Sequence, residues 1–150
     1  MMYFEDYHVG LVMNSPAYTV TQQELVEFAS KWDPQPFHID EAAGKAAFGG
    51  LITCSAHTFS IFSALGSRLD IGSNGAIIAG LGFNRMQMIK PIYVDDRVRL
   101  RAEVTKLRRS QSNPAQGIMT TINHLYNQKD ELVFSVETAT LIGVKETVPA

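Results

Sequence analysis

The segment from Asp33 to Asp40 concentrates residues that can move protons. It reads Asp-Pro-Gln-Pro-Phe-His-Ile-Asp and places an aspartate, Asp33, and a histidine, His38, close together in the chain. Histidine titrates near neutral pH, and a carboxylate can act as a base or orient the imidazole. Pro34 and Pro36 each fix their own φ angle, which predicts a stiff loop that can hold both side chains. The segment indicates an acid–base pair; the open alternative is that Asp33 caps a helix and His38 bonds a backbone carbonyl.

A glycine break, Phe48 to Ser55, precedes a strongly apolar segment. If that segment is a helix, its N-terminus carries unpaired N–H groups and a partial positive charge. Such groups can stabilise an oxyanion that develops during a reaction. Taken alone, the same pattern is also typical of an ordinary loop-to-helix junction.

Metal and thiol chemistry find less support in the residue pattern. His38-Ile39-Asp40 offers two ligand types, but no second histidine lies at usable local spacing, so we expect no metal site. Cys54 would need a nearby base to act as a thiolate nucleophile, and His57 is the candidate close to it in sequence. We interpret His57 rather as a histidine of the core or of an interface whose ring nitrogens are hydrogen-bonded.

Helical patterns fill the first half of the chain. A capping-box sequence from Thr21 to Glu24, followed by apolar residues at helical spacing, predicts a helix over Gln22–Lys31 that ends before Asp33-Pro34. Asp40 is a good N-cap for a second helix over Glu41–Ala47. The segment Ser55–Leu69 is apolar nearly all round, which predicts a buried helix. The residues 72–75 predict a loop.

Strand patterns dominate after residue 75. The predicted strands are Ile77–Met88, Arg97–Leu107, Ile118–Tyr126 and Glu131–Val144, with an earlier strand near Leu11–Thr19. In the second of these, alternation places Val98, Leu100, Ala102 and Val104 inward and Arg97, Arg99, Arg101 and Glu103 outward. Consecutive strands joined by short turns indicate an antiparallel sheet, whose apolar face needs a cover. We predict an α+β fold, one domain over residues 1–150, with the sheet curled around the buried helix.

Composition excludes several classes of protein. The chain has 150 residues, of which 45% are hydrophobic and 19% charged, typical of one globular domain. Its net charge of -2 argues against a general affinity for nucleic acid or anionic membranes. The single cysteine excludes an intrachain disulfide, and no run of about 18 apolar residues is present. The first ten residues carry Glu5 and Asp6 and lack an apolar run, so we expect no secretory signal. We expect a soluble, cytoplasmic protein with no nucleic-acid or membrane partner.

The two chemical segments together resemble the MaoC-like dehydratases, the (R)-specific enoyl-CoA hydratases of the hot-dog fold. The segments that carry the resemblance are Asp33-x4-His38, Ile39–Ala43, Phe48–Ile52, Gly80–Phe83, Lys90-Pro91 and Gln111–Gly117, so it covers nearly the whole chain. It implies a hot-dog fold, and it implies dimers: a homodimer or a dimer of dimers.

The resemblance also implies roles for individual residues. Asp33 and His38 match the catalytic pair, and Ser63 matches a serine that supports the aspartate in some members. Ser55 falls where the family has a glycine whose N–H lines the oxyanion hole; the chain reads Thr-Cys-Ser where many members read Ala-His-Gly or Ala-Ser-Gly. The neighbours expected to contact the substrate are Phe37, Gly50, Ile52 and Cys54.

The implied reaction is hydration of trans-2-enoyl thioesters, or dehydration of 3-hydroxyacyl thioesters. Coenzyme A or an acyl carrier is then part of the substrate, and no metal or redox cofactor is required. Two alternatives stay open. One is a hot-dog thioesterase, which the Asp-x4-His spacing disfavours. The other is a non-catalytic subunit that binds acyl thioesters, which is consistent with Ser55 in place of the family's glycine. Candidates for contacts with the phosphates of coenzyme A are Arg85, Lys90, Arg108 and Arg109. Candidates for lining an acyl pocket, otherwise core residues, are Phe59, Phe62, Phe83, Met86 and Met88.

Overall fold

An antiparallel sheet of six strands organises the computed structural model, which describes residues 1–145. The strands are β1 (Val12–Asn14), β2 (Tyr18–Thr19), β3 (Ile77–Met88), β4 (Arg97–Arg109), β5 (Gln116–Tyr126) and β6 (Leu132–Gly143). Across the sheet the order is β1–β4–β5–β6–β3, and β2 also pairs with β4. The strands β4, β5 and β6 follow one another in the sequence and form two hairpins. Strand β3 precedes β4 in the sequence but pairs with β6.

Within residues 1–145, five α-helices and a short 3-10 turn at Phe4–Asp6 accompany the sheet. They are α1 (Gln22–Trp32), α2 (Pro36–Ile39), α3 (Glu41–Phe48), α4 (Ser55–Gly66) and α5 (Asp70–Asn74). The hydroxyl of Thr21 accepts a hydrogen bond from the Glu24 N–H at 3.3 Å, and the Asp40 carboxylate accepts one from the Ala43 N–H at 3.0 Å. Side-chain caps therefore start α1 and α3 where the sequence predicts them.

The alternation predicted for β4 is confirmed. Its inward residues are fully or almost fully buried: Val98, Leu100, Ala102 and Val104. On the outer face, Arg99 pairs with Asp130 at 2.8 Å and Arg101 pairs with Glu103 at 2.9 Å. The α+β architecture with an antiparallel sheet is thus as predicted.

Helix α4 packs along the inner face of the sheet, but two predictions about it are wrong. It ends at Gly66 rather than at Leu69, and only one side is buried within the chain: His57, Thr58, Ile61, Phe62 and Leu65. The Phe62 ring packs against the Phe134 ring of β6, with their centroids 5.6 Å apart. Helix α4 covers the sheet with half of its circumference and leaves the other half open.

Strand β3 is the most exposed long element of the described chain. It forms an edge of the sheet, and all but one of its residues are exposed. The exposed apolar side chains at this edge are Ile77, Ile78, Leu81, Phe83, Met86, Met88 and, just beyond the strand, Ile89. The sequence pattern predicted a strand here, but it gave no sign that both faces would be open.

Three other local predictions are corrected by the structure. The stiff loop expected after Asp33 contains a helical turn, α2, because Pro36 occupies the first helical position, where its missing N–H costs nothing. The loop expected at residues 72–75 is mostly the short helix α5. The early strand breaks into β1 and β2 around Ser15-Pro16. No helix among residues 1–145 is long and apolar enough to cross a membrane.

Candidate active site

His38 is held in a fixed orientation by a backbone carbonyl. It lies on α2, is only 5% exposed, and its Nδ1 is 2.7 Å from the carbonyl oxygen of Ile52. A carbonyl only accepts, so Nδ1 carries a proton and donates it. In the neutral imidazole, Nε2 is then the unprotonated nitrogen, free to act as a base.

Asp33 faces that free nitrogen. It follows the last residue of α1, and its N–H still bonds the Ala29 carbonyl at 2.8 Å, so the end of the helix fixes its position. Its Oδ2 lies 3.8 Å from His38 Nε2, and its side chain is 39% exposed. This separation is too long for a direct hydrogen bond and suits two groups that share a bridging water.

A cavity of about 440 Å³, here called the Asp33–His38 cavity, opens onto this pair. Its lining residues are Asp33, Gln35, Phe37, His38, Ile52, Thr53, Ser55, Thr58, Met88, Ile89, Lys90, Pro91 and Ile92. They come from the α1–α3 region, the start of α4, and the segment from the end of β3 to Ile92. The cavity therefore combines a titratable pair with apolar walls, as binding sites usually do.

The N-terminus of α4 meets the same cavity. Ser55 is the first residue of α4 and lines the cavity, and the side chain of Cys54 at the N-cap makes no capping hydrogen bond. The Ser55 N–H belongs to the first turn, whose donors have no partner inside the helix. Ser55 therefore brings the first turn of α4 to the wall of the cavity, and its own side chain is exposed.

Two buried threonines, missed by the sequence reasoning, brace this corner. The hydroxyls of Thr53 and Thr58 are 2.7 Å apart, and both residues line the cavity. The Thr53 N–H also donates to the Ile92 carbonyl at 2.9 Å. These contacts join the segment that holds His38 to the start of α4 and to the chain after β3. The one sign of this pair in the sequence is that Thr53 stands just before the N-cap of α4 and Thr58 stands four residues after it.

The predicted substrate contacts divide in two. Phe37 and Ile52 line the cavity, and the Phe37 ring meets the His38 ring edge-on at 4.5 Å. Cys54 is fully buried and does not line it, and burial raises the pKa of its thiol, which disfavours a thiolate nucleophile. Gly50 also lies outside it, packed so that a Cβ would fall 3.3 Å from the Tyr93 ring. The predicted contacts with the substrate through Gly50 and Cys54 remain predictions, and neither residue lines this cavity.

Ser63 is not brought to Asp33. It lies on the exposed side of α4, borders a different cavity, and makes no side-chain hydrogen bond among the residues that the structure describes. Its predicted support of the aspartate is absent within the single chain, since Ser63 is two helical turns beyond Ser55.

His57 is buried in the core, as interpreted from the sequence, but the expected hydrogen bonds of its ring are missing among the described residues. It is 2% exposed, stacks on Phe28 with ring centroids 4.6 Å apart, and lies outside the Asp33–His38 cavity. Neither ring nitrogen has a hydrogen-bond partner among the described residues, and Glu24 Oε1 lies 3.9 Å from Nε2. Burial lowers the pKa of His57, so the imidazole is neutral at pH 7.

Of the four basic candidates for phosphate contacts, Lys90 lines the cavity and forms an ion pair with Glu131. Arg109 pairs with Glu5 at 2.5 Å, and Arg85 and Arg108 are exposed outside the cavity. Within residues 1–145, no three His, Cys, Asp or Glu side chains cluster in a way that could hold a metal ion.

Comparison with known proteins decides the family. The model of the MaoC like domain matches residues 8–125 of the chain. The chain belongs to the MaoC-like domain family. It is 34% identical to the Bacillus subtilis (strain 168) protein YdeM, described as uncharacterized, over 94% of this chain and 99% of that one.

Solved structures agree with this family. The MaoC-like dehydratase from Rhodospirillum rubrum superposes with a TM-score of 0.89 at 28% identity, covering 98% of this chain and 100% of that one. The (R)-hydratase from A. caviae involved in PHA biosynthesis gives a TM-score of 0.74 at 25% identity, covering 94% and 99%. A Mycobacterium tuberculosis protein with a double hot-dog fold gives 0.81 at 17% identity, covering 99% of this chain and 46% of that one. The MaoC-like domain has the predicted hot-dog fold.

Proposed function

We propose that this MaoC-like protein hydrates trans-2-enoyl thioesters to (R)-3-hydroxyacyl thioesters and catalyses the reverse dehydration. The observation that carries the proposal is the 3.8 Å separation of Asp33 Oδ2 and His38 Nε2 inside a cavity, with Nδ1 tied to the Ile52 carbonyl. The (R) configuration comes from the likeness to the A. caviae (R)-hydratase, and the thioester comes from the resemblance of the sequence motifs to the MaoC-like dehydratases.

In the proposed reaction, one water lies between Asp33 and His38. The β-carbon of a trans-2-enoyl thioester is electrophilic, and the water oxygen bonds to it while the pair accepts a proton. The pair then returns one proton to the α-carbon, so that the elements of water have added across the double bond. Such acid–base assistance accelerates a reaction by about 10²–10⁴-fold.

The thioester oxygen gains negative charge during this addition, because an enolate-like oxyanion develops. The Ser55 N–H and the N-terminal end of α4 are the donors available to it. Ser55 in place of glycine keeps this N–H and adds a hydroxymethyl group beside it. In this proposal, coenzyme A or an acyl carrier enters only as part of the substrate, with Lys90 at the cavity wall as a cation for its phosphates.

The test is an ultraviolet assay of crotonyl-CoA, and then of longer enoyl-CoAs, with matched variants. We expect Asp33→Asn and His38→Ala each to lower kcat/KM by about 10²–10⁴-fold. Asp40→Asn and His8→Ala repeat the same chemical changes outside the cavity; asparagine still caps α3, and His8 is exposed. These two should retain activity.

The product and the released groups distinguish the alternatives. Formation of (R)-3-hydroxyacyl-CoA without free thiol supports the hydratase. Free coenzyme A from saturated acyl-CoA would indicate a thioesterase instead. Binding of acyl-CoA with no loss of enoyl absorbance at any chain length would contradict the proposal in favour of a binding subunit.

Strand β3 supports a homodimer as the working form. Long, exposed, apolar edge strands attract other chains, and a two-fold axis lets one edge cover its own copy. Leu81 and Phe83 are 52% and 51% exposed at this edge. Light scattering should give twice the mass of the chain for the wild type, with Leu81→Lys shifted toward monomer. A wild-type monomer at micromolar concentration would contradict the dimer.

A further inference from the structure

A second cavity, here called the distal cavity, lies between α4 and the inner face of the sheet. Its volume is about 190 Å³. Phe62 and Gly66 of α4 form part of one wall, and the facing strands contribute polar side chains: Thr121, Asn123, Thr138 and Thr140. None of the residues that line it also lines the Asp33–His38 cavity. A polar wall this deep under a helix needs an explanation, because buried polar groups are costly unless they are partnered.

Asn123 is the centre of that polar wall and is only 4% exposed. Its Nδ2 donates toward the carbonyl oxygens of Thr121 at 3.3 Å and Val136 at 3.2 Å. The same nitrogen lies 3.1 Å and 3.2 Å from the hydroxyls of Thr121 and Thr138, which are themselves 2.7 Å apart. Because carbonyl oxygens only accept, the amide orientation is fixed, and the atom turned away from these partners is Oδ1.

The hydrogen bonds of this group are incomplete. Asn123 Oδ1 accepts no hydrogen bond from any residue in 1–145, and it is not sealed from the cavity. One of the Thr121 and Thr138 hydroxyls donates a hydrogen bond to the other. The hydroxyl that accepts this bond still has its own proton to donate. The wall thus offers one acceptor, Asn123 Oδ1, and one donor, the hydroxyl proton that remains. A hydroxyl group on a ligand donates one hydrogen bond and accepts others, so it can pair with either.

The distal cavity lies further along the same helix as the candidate active site. Thr58 lines the Asp33–His38 cavity, and Phe62 to Gly66 line the distal one, a step of about 6–12 Å at 1.5 Å per residue. Between them, the Phe59 ring meets the Phe83 ring edge-on at 4.9 Å. A medium-length acyl chain attached at the first cavity would run past these two rings to reach the second.

We propose that the distal cavity binds the far end of the acyl chain and selects chains that carry a hydroxyl group there. This inference rests on the proposed thioester substrate, but not on the chemistry at Asp33 and His38. An unsubstituted alkyl end would displace water from Asn123 Oδ1 and leave it without a partner, whereas a hydroxylated end would replace that partner.

The test compares saturated acyl-CoAs, which cannot be hydrated, so that binding is measured apart from catalysis. Titration calorimetry with pairs from hexanoyl-CoA to decanoyl-CoA, each with and without a terminal hydroxyl, gives the ratio of the two Kd values at every length. One additional neutral hydrogen bond corresponds to about 3- to 10-fold in Kd. We expect the hydroxylated member to bind more tightly by this factor at the length that reaches the cavity.

Three variants assign the preference to the polar wall. Asn123→Leu removes Oδ1 and should bring the ratio close to one. Thr138→Val, which conserves shape and serves if Asn123→Leu does not fold, should lower the ratio only part of the way, because Asn123 Oδ1 stays in place. Thr105→Val makes the same hydroxyl-to-methyl change at an exposed position outside both cavities and should keep the wild-type ratio.

Each outcome separates the two proposals. Equal or weaker binding of every hydroxylated chain to the wild type would overturn the inference, as would a ratio of Kd values that is unchanged from the wild type in both Thr138→Val and Asn123→Leu. Crotonyl-CoA hydration without any hydroxyl preference would refute this inference alone. A hydroxyl preference that Asn123→Leu abolishes, with no hydration of any enoyl-CoA, would refute the proposed reaction and support the distal site.

Discussion

The Thr53–Thr58 hydroxyl pair permits a quantitative test of how the corner of the site is held together. The two oxygens are 2.7 Å apart and both residues are buried, so each hydroxyl depends on the other. Replacing one threonine with valine conserves volume, removes the hydrogen bond, and leaves the remaining hydroxyl without its partner. Thr58→Val is expected to cost about 2 kcal/mol, from about 1 for the bond and a similar amount for the orphaned Thr53 hydroxyl.

Thr53→Val is expected to cost less, about 1 kcal/mol, because the hydroxyl it leaves behind is on a helix. Thr58 can turn its Oγ1 to the carbonyl of Cys54, four residues earlier, as helical threonines often do. The double variant has no orphaned hydroxyl, and it should cost no more than Thr58→Val alone. The cycle should therefore give a coupling free energy of about 1 kcal/mol.

Urea unfolding of the four proteins, followed by circular dichroism, measures this cycle. Thr105→Val, a matched change at an exposed site, should shift the free energy of unfolding by no more than about 0.5 kcal/mol. Additive single costs, with no coupling beyond error, would contradict the prediction that each of the two hydroxyls depends on the other for its hydrogen bond.

Two further predictions concern stability. Burial lowers the pKa of His57 below its ordinary 6.5, so the imidazole binds a proton more readily in the unfolded chain than in the folded one. The contribution of neutral His57 to the free energy of unfolding is therefore complete above about pH 6.5. It is lost as the pH falls from there to the lower pKa of the folded state. Melting temperatures at several pH values should decline less steeply on acidification in His57→Leu than in the wild type, and equal slopes would contradict this. Gly44→Ala should destabilise the fold by about 1–3 kcal/mol, because the new Cβ would fall 3.0 Å from the backbone of Leu51. Gly66→Ala should be neutral or stabilising by up to about 1 kcal/mol, because its new Cβ would lie 4.0 Å from the nearest side-chain atom, on Leu100. Chemical denaturation of both variants checks the sign.

Local patterns were enough to predict much of the fold. The alternation from Arg97 to Val104 and the caps at Thr21 and Asp40 act over a few residues, and the structure has each of them in place. The open side of α4 and the exposed β3 could not be predicted in the same way. The apolar residues of both elements have the pattern of core residues. Hydrophobic periodicity shows which faces of an element are apolar, but it does not show whether the same chain covers those faces.

In the candidate site, too, features carried by one short segment could be predicted, and contacts between distant segments could not. Asp33 and His38 lie in one short segment, so their spacing alone indicated a pair, and the structure places them 3.8 Å apart. The Thr53–Thr58 bond and the cavity wall from Met88 to Ile92 depend on tertiary contacts between distant segments. Ser63 was expected beside Asp33 because family likeness gives a position in the chain, not the direction in which a helix presents it.

The order of strands in the sheet has a consequence for how the chain folds. The hairpins β4–β5 and β5–β6 join neighbours in sequence, but β3 pairs with β6, so that Ile77 meets Ile142. Closing that long loop costs more chain entropy than closing a hairpin, and contacts between distant segments form slowly. We expect the three-stranded meander to form first and β3 to dock late, trapping α4 against the sheet. Strand β3 borders both cavities, so each would acquire its full wall only at this last step of folding.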